Sequence, residues 1–359
     1  FVITAVPVST IPNDGLTVSG GTFTSNGSAL SVADKYLAAD HGVVQDPGSG
    51  SCTVVPKAVE VRATYDGQAV GSKYITIEEA VANRSGNAWI AITGDYTLSS
   101  DYSIPEGVGI DIQSGATLTI PAGVTLTVAE NAKRLGIMAG GSAENYGTIL
   151  VQGQGSSGPE GKKSYVMVNG TMTGNSLTVP EECFLDKNNA SYFATPVADA
   201  CFEITYSNGE KILAKTVDNV NSSTTQVKLL KDVVKSYWMI SSVANNFVLD
   251  LNGKTLSGAE DSTYYVLYAG ASMTIKNGTI KYNSTGKGAI CAYGGETLVI
   301  ESDVIIDGGS GVGVMMQNNA PTVVLNGTVT TTGAYGFTSN GSANEDGKPD
   351  TCNITVNEG

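Results

Sequence analysis

A repeat of about 24 residues in the last third of the chain constrains the fold more than any other sequence feature, because periods of this length indicate solenoids. Each copy is a short run of alternating apolar and polar residues, and the runs end in the apolar pairs Leu249/Leu251, Met273/Ile275, Leu298/Ile300 and Val323/Leu325. The second members of these pairs fall at positions 251, 275, 300 and 325, so the copies are almost evenly spaced. A parallel β-solenoid requires this combination, because each coil adds one strand to every face and equivalent residues stack in columns about 4.8 Å apart. The apolar columns are therefore predicted to form a continuous core.

Two further apolar columns follow the same period. The first lies shortly after each pair and contains Leu256, Ile280, Ile305 and, in the fourth copy, Thr330. The second contains Leu267, Ala292 and Met316. A fifth copy of the repeat begins at Ile354 and Val356. Each coil is thus predicted to bury residues on more than one face.

A finer repeat in the middle of the chain indicates how many faces a coil has. Alternating apolar pairs recur there at a constant step, at Ile110/Ile112, Leu118/Ile120 and Leu126/Val128. The step is 8 residues, which is one third of the longer repeat. Three faces of 8 residues therefore give one coil of the length that the later repeat indicates independently. We therefore expect an all-β chain that forms a parallel β-helix, a three-faced solenoid with coils of about 24 residues.

The dipeptide Asn277-Gly278 within the repeat has three interpretations. Followed by Thr279, it matches a glycosylation acceptor; Asn-Gly is also the favoured turn of a β-hairpin, and it suits a corner between two strands of one coil. A hairpin does not require a constant period of this length, whereas a corner needs residues that accept a positive φ. The corner interpretation is therefore favoured, and 252–253 and 326–327 are predicted to lie near the same corner.

The chain also contains a longer internal duplication. Residues 61–98 parallel residues 202–235, and each copy has the pattern strand, Gly turn, strand, short helix, strand. The predicted helices, Ile77–Ala82 and residues 215–220, would cap the open edge of the first coil, which otherwise invites pairing with another chain. Three modules are predicted: 1–56 as the C-terminal end of a preceding β-helix module, 57–200 as a complete module, and 201–359 as the start of a third, truncated module.

Several stretches together resemble one family. "SGGTFTSNGSALSVADKYLAAD", "VKLLKDVV" and "FVLDLNGKTLSG" are similar to the pectate-lyase-like parallel β-helix modules of large bacterial surface proteins. The likeness covers most of the chain, although its motifs are structural. It implies a right-handed coil and a role as an adhesin or stalk at the cell surface.

Net charge disfavours some classes of partner, and the spacing of the cysteines favours free thiols. The formal net charge is −14, with 34 acidic against 20 basic residues, which disfavours nucleic acid and anionic membrane surfaces. No stretch of about 18 apolar residues is present to span a bilayer. The cysteines lie far apart, so zinc ligation is not expected, and buried free thiols are favoured over a Cys183–Cys201 disulfide. No cofactor or metal is predicted.

Residues with catalytic potential are few. Asp250 is expected to face outward, but Thr274, Val299 and Val324 in its predicted column are not acidic, as a calcium-assisted lyase would need. Glu301, Asp303 and Asp307 form the densest acidic group of the coils, and turn formation explains them without catalysis. His41, the only histidine, lies in no nucleophile motif. No catalytic residue is therefore predicted.

Tyrosines provide the better indication of a binding site. Tyr264, Tyr265, Tyr268, Tyr282 and Tyr293 cluster over two predicted coils, and all but Tyr265 are predicted ligand-binding residues. Tyr268 and Tyr293 are separated by one period of the repeat and are expected to stack on the outer surface. The alternative is an aromatic ladder that only protects the sheet face. The two tryptophans, Trp89 and Trp238, are expected to pack in the core beneath the caps.

These expectations define three classes of function. The first is a non-enzymatic adhesin or stalk, extracellular and at the cell surface, that binds a glycan or a surface protein of a host or microbe. The second is a polysaccharide lyase or glycoside hydrolase with a groove along the β-helix. The third is end-to-end self-association into a filament or surface layer.

Overall fold

A computed structural model describes residues 17–24, 32, 36–45, 49, 51–86, 88–153, 164–235, 237–317, 321–333, 335–339 and 352–357. The chain is all-β, and its strands form a parallel β-solenoid of about 9 turns with coils of roughly 24 residues, as predicted. Two compact units divide it: unit 1 takes the chain up to Pro180 together with Ala190–Ala194, and unit 2 takes Glu181–Asn189 and the chain from Thr195 onward. The predicted boundaries of the three modules stay a prediction.

The first seventeen strands of the described residues are β1 (Gly21–Phe23), β2 (His41–Gln45), β3 (Cys52–Pro56), β4 (Val59–Arg62), β5 (Ala88–Ile92), β6 (Tyr96–Thr97), β7 (Tyr102–Ile104), β8 (Val108–Ile112), β9 (Thr117–Ile120), β10 (Thr125–Val128), β11 (Arg134–Ile137), β12 (Ser142–Asn145), β13 (Thr148–Val151), β14 (Val166–Val168), β15 (Thr171–Gly174), β16 (Cys183–Asn188) and β17 (Ser191–Pro196). The helices are α1 (Ile77–Ala82) and a 3-10 turn at Val197–Asp199. Neither of these two helices of the described residues has the length or apolar character needed to cross a membrane.

The remaining strands are β18 (Phe202–Tyr206), β19 (Lys211–Ala214), β20 (Thr224–Leu229), β21 (Val233–Val234), β22 (Trp238–Ile240), β23 (Phe247–Ser257), β24 (Leu267–Ala269), β25 (Met273–Lys281), β26 (Gly288–Tyr293), β27 (Thr297–Ile300), β28 (Val304–Asp307), β29 (Val312–Gln317), β30 (Thr322–Leu325), β31 (Thr328–Thr330), β32 (Phe337–Ser339) and β33 (Asn353–Val356).

Unit 1 is built from three stacked sheets that share one core. The first runs in the order β14-β11-β8-β5-β4, the second β15-β12-β9-β6, and the third β13-β10-β7. The three evenly spaced apolar pairs of the finer repeat lie on β8, β9 and β10, one on each sheet, and all six side chains are fully buried. The prediction of a three-faced coil is confirmed. A separate antiparallel sheet of order β1-β3-β2 precedes these coils.

Unit 2 repeats the arrangement. Its first face is β20-β23-β25-β27-β30-β33, its second face pairs β21, β23, β25, β28 and β31, and its third face is β22-β24-β26-β29-β32. The long strands β23 and β25 serve two faces because each continues through a corner. The predicted stacking of Ile275, Ile300, Leu325 and Val356 is confirmed by the strand pairing.

The predicted register is wrong in three places where turn lengths differ between coils. Ile275 pairs with Leu249 instead of Leu251, because residues 251–253 lie opposite the single residue Asn277. Ile306 and Val329, not Ile305 and Thr330, continue the second-face column, and Ile305 points to solvent. On the third face Leu267 pairs with Ile290 instead of Ala292.

The corner prediction is confirmed, since all three Asn-Gly pairs lie where the chain passes from the first face to the second, the third of them between β30 and β31. Asn252 and Asn277 have φ values of 51° and 60°, and the glycines that follow them also have positive φ. Gly278 is further required because a Cβ there would lie 2.5 Å from the carbonyl oxygen of Lys254. Asn therefore marks the corner at which β23 and β25 pass from the first face to the second.

Each unit begins with an antiparallel cap. β4 pairs antiparallel with β5, and β18 pairs antiparallel with β20, whereas β5 and β20 pair in parallel with the next coil. Helix α1 has the predicted bounds and begins with a capping box formed by Thr76 and Glu79. The helix predicted for residues 215–220 is wrong. Those residues form a turn in which the Thr216 hydroxyl accepts from Asp218 N, and this local bonding competes with helix formation.

The cysteine prediction holds for bonding and only partly for burial. Cys183 and Cys201 are both free thiols, so the alternative disulfide between them is not formed. Cys52 and Cys291 are buried, as expected, but Cys183 and Cys201 are only half-buried.

Candidate functional site

An aromatic patch lies on the outer side of the third face of unit 2. Tyr237, Met239, Tyr264 and Tyr268 form it, and we call it the tyrosine surface. The ring centroids of Tyr237 and Tyr264 are 5.5 Å apart, and those of Tyr237 and Tyr268 are 5.0 Å apart. Tilted and edge-to-face rings at these distances attract one another, so the rings support each other's positions.

Strand alternation explains why these side chains face outward. On β22 the residues on either side of Met239 are buried in the core, and on β24 the same holds for Tyr268. Met239 and Tyr268 are directly paired across the two strands, so their side chains are neighbours on the same outer face. Met239 is 49% exposed and Tyr264 is 53% exposed, which leaves both open to a ligand.

Tyr265 forms the floor of this surface. It is almost fully buried, and its ring meets that of Tyr268 edge-on at 5.5 Å. The Lys287 Nζ lies 5.8 Å from the Tyr265 ring centroid. Burial raises the pKa of Tyr265 to about 12, so the phenol stays neutral over the ordinary pH range.

The structure brings together two of the four predicted ligand-binding tyrosines. Tyr264 and Tyr268 belong to the tyrosine surface. Tyr293 is exposed, but it pairs with Gln317, while Tyr268 pairs with Cys291. The predicted Tyr268–Tyr293 stack is therefore wrong, because the coil between β24 and β26 is shorter than the period of the sequence repeat.

Tyr282 is not on the surface. It is 1% exposed, its hydroxyl lies 2.9 Å from the Thr285 carbonyl oxygen and 3.3 Å from that of Ser262, and it accepts a hydrogen bond from Lys287 N. These bonds give Tyr282 a structural role in holding the loop that precedes β26, and a ligand at the surface does not reach its ring.

Sequence reasoning missed Tyr237 and Met239. Both lie beside Trp238, which is buried as predicted and packs 5.8 Å from the Phe202 ring. Because Trp238 is predicted to be buried, strand alternation predicts that its two neighbours face outward. The sequence therefore contained the information needed to find both. Trp89, by contrast, is only partly buried and lies on the outer face of β5, so its predicted place in the core is wrong.

The acidic residues considered for catalysis are engaged in corners and turns. Asp250 is 7% exposed and pairs with Lys276 in place of the predicted Thr274 column. Its carboxylate accepts from Asn252 N at 2.9 Å and from Asn277 Nδ2 at 3.0 Å. Asp303 accepts from Asn277 N, and Asp307 accepts from Gly309 N. Glu301 is half-buried just after β27.

A cavity of about 460 Å³ in unit 1 contains His41 in its lining. The neighbouring Lys73 is paired with Asp40 and Glu60, and Glu79 accepts the backbone bonds that cap α1. The His41 Nδ1 lies 3.0 Å from the carbonyl oxygen of Ala39. His41, Lys73 and Glu79 therefore each have a partner within the protein.

Stacked parallel coils with an apolar interior and an exposed aromatic patch define a parallel β-solenoid with a candidate ligand surface. Comparisons with protein-family models, with curated proteins and with solved structures each found no match.

Proposed function

We propose that this chain is a non-enzymatic extracellular solenoid of the adhesin or stalk type, and that it binds a glycan through the tyrosine surface. The exposed rings of Tyr237 and Tyr264, which pack with the half-buried ring of Tyr268, are the observation that carries the proposal. Aromatic rings offer a large, rigid contact area to the apolar C–H face of a sugar, and the phenol hydroxyls bond to sugar hydroxyls. The solenoid keeps these rings at fixed positions because every coil is held by its neighbours.

The engagement of the acidic residues supports a binding role over catalysis. A hydrolase needs two carboxylates that reach the scissile bond from opposite sides. Asp250, Asp303 and Asp307 each accept hydrogen bonds from the protein's own corners and turns. The Oδ1 atom of each carboxylate thus accepts from the protein, and a substrate that approached that oxygen would have to displace its donor.

Binding to an array of neutral and acidic glycans tests the proposal. The chain is applied as wild type, as Tyr264→Ala, as Tyr237→Ala and as Tyr335→Ala. Tyr335 is the matched control, since it is 59% exposed in unit 2 and lies outside the tyrosine surface. We expect the first two variants to lose about tenfold in affinity for the glycans that the wild type binds, and Tyr335→Ala to bind as the wild type does.

Three outcomes would contradict the proposal. Equal loss in all three variants would mean that the contact is not made at the tyrosine surface. Release of unsaturated products or new reducing ends from any glycan would identify an enzyme. Absence of glycan binding, with tyrosine-dependent capture of a purified surface protein, would replace the glycan by a protein ligand.

A further inference from the structure

A second cluster of aromatic and basic side chains lies on the outer side of the first face of unit 1. Strand pairing places two rows side by side across β4, β5, β8 and β11. One row contains Arg62, Trp89, Gly109 and Arg134, and the adjacent row contains Glu60, Ala91, Asp111 and Gly136. The tryptophan therefore sits between two arginines, next to a row that carries two acids.

Both arginines in the first row are neutralised by the acidic row. Arg134 forms two hydrogen bonds to Asp111, of 2.8 Å from Nε and 2.9 Å from Nη2. Arg62 donates to Glu60 at 3.2 Å. Burial raises the pKa of the Asp111 carboxyl, and the Arg134 hydrogen bonds oppose that rise. Each guanidinium is thus paired with an acid of the neighbouring row, which compensates its charge within the protein.

Two glycines make room for the cluster. A Cβ on Gly109 would lie 2.3 Å from ring atoms of Trp89, and a Cβ on Gly136 would lie 2.1 Å from the Asp111 Oδ1. The indole and the carboxylate therefore lie directly against the backbone of β8 and β11. Any larger residue at either position would displace them, so the cluster is a preformed feature of the sheet.

Lys133 and Tyr65 lie beside the indole of Trp89, and the Arg134 guanidinium also lies 4.8 Å from the Trp89 ring centroid and 5.4 Å from that of Tyr65. The Lys133 Nζ lies 4.8 Å from the Trp89 ring centroid and has no carboxylate partner among the described residues. Burial lowers the pKa of the Lys133 ammonium. Tyr65 is 50% exposed, and its ring meets that of Trp89 edge-on with the ring centroids 6.0 Å apart. The Tyr65 ring therefore lies beside the indole.

We propose that Lys133, Trp89 and Tyr65 form a second binding site, and that its ligand is a saccharide bearing a carboxylate. The ammonium supplies the charge that the carboxylate requires, and the aromatic pair supplies contact for the sugar ring. A neutral sugar would leave Lys133 without an anion, whereas a carboxylate would relieve its desolvation. The site lies in unit 1 and shares no residue with the tyrosine surface, so it does not rest on the function proposed above.

Titration of the full chain with a hyaluronan tetrasaccharide tests the proposal, because glucuronate supplies the carboxylate. The probe is the indole N–H signal in a ¹⁵N–¹H spectrum, which contains only Trp89 and Trp238. Trp238 is buried in unit 2 and serves as the internal control. Lys133→Met is compared with Lys254→Met, because Lys254 is a half-buried lysine of unit 2. The methyl ester of the tetrasaccharide is the uncharged control ligand.

We expect the Trp89 signal alone to shift, and the affinity to fall about tenfold both in Lys133→Met and with the ester. Lys254→Met and Tyr264→Ala should bind as the wild type does, which separates this site from the tyrosine surface. The proposal is overturned if Trp89 does not shift at a ligand concentration of about 10 mM. It is equally overturned if the wild type binds the methyl ester as tightly as it binds the tetrasaccharide. The same holds if Lys133→Met binds the tetrasaccharide as tightly as the wild type does.

Discussion

Asp111 and Asp250 occupy equivalent positions in the two units. Each lies on the outer side of the second strand of the first face, where its coil neighbours are Ala91 in unit 1 and Lys228 in unit 2. On the following coil, Asp111 faces Gly136 and takes its partner diagonally, from Arg134, whereas Asp250 pairs directly with Lys276. Both units thus place a buried acid with a basic partner at this position, although the partner's position differs.

The two acids differ in how much they depend on the base. We predict that Arg134→Met lowers the free energy of unfolding by about 3–5 kcal/mol, because it leaves the Asp111 carboxylate buried without its two hydrogen bonds. Lys276→Met should cost less, since Asp250 keeps its bonds from Asn252, Asn277 and Gln226. Urea unfolding of both variants measures the difference. Similar losses of unfolding free energy in the two variants would show that the hydrogen bonds to Asp250 do not compensate for the loss of the Lys276 ammonium.

At the scale of strands and corners, the positive φ of Asn277 turns the single strand β25 from the first face to the second. Its side chain also bonds to Asp250 on the preceding coil, and its backbone N–H bonds to Asp303 on the following one. The corner is therefore tied to both neighbouring coils. Replacing Asn277 by a residue that disfavours positive φ would therefore strain the corner and would also remove the hydrogen bond to Asp250.

Two substitutions at this corner separate the two effects. Asn277→Ala is expected to destabilise the chain by about 1–3 kcal/mol, because alanine disfavours positive φ and lacks the amide. Asn277→Gly accepts the same φ and loses only the hydrogen bond, so it should cost less. Thermal unfolding of the two variants measures the gap. An alanine variant as stable as the wild type would show that the corner does not need the left-handed conformation.

The same scale explains what the sequence could and could not predict. Alternation with a constant period identified the three faces, because a side chain that faces the core in one coil does so in the next. Register failed where a corner is longer in one coil, as at residues 251–253, since hydrophobic pattern does not count turn residues. Tyr264 and Tyr268 were found from their clustering. Trp89 was misplaced, because the space that receives it is created by Gly109 on the strand of the next coil.

At the scale of the whole molecule, function depends on which residues the coil lengths bring together. The core of each unit is mostly apolar, so most of the residues that give the coils different chemistry lie on the outer faces. The short coil between β24 and β26 places Tyr268 beside Cys291, whereas a coil as long as the sequence repeat would have placed it beside Tyr293. On its other side Tyr268 lies beside Met239. The composition of the tyrosine surface is thus a consequence of register.

Disulfide mapping in a Tyr268→Cys variant tests this register most directly. Neighbouring strands of a parallel sheet are about 4.8 Å apart, which is within the Cα separation that a disulfide accepts. Under mild oxidation we predict a bond between the introduced thiol and the native Cys291, identified by peptide mass spectrometry. In a Tyr268→Cys/Tyr293→Cys variant, preferential bonding between the two introduced thiols would contradict the observed stacking, as would an introduced thiol that stays reduced in both variants.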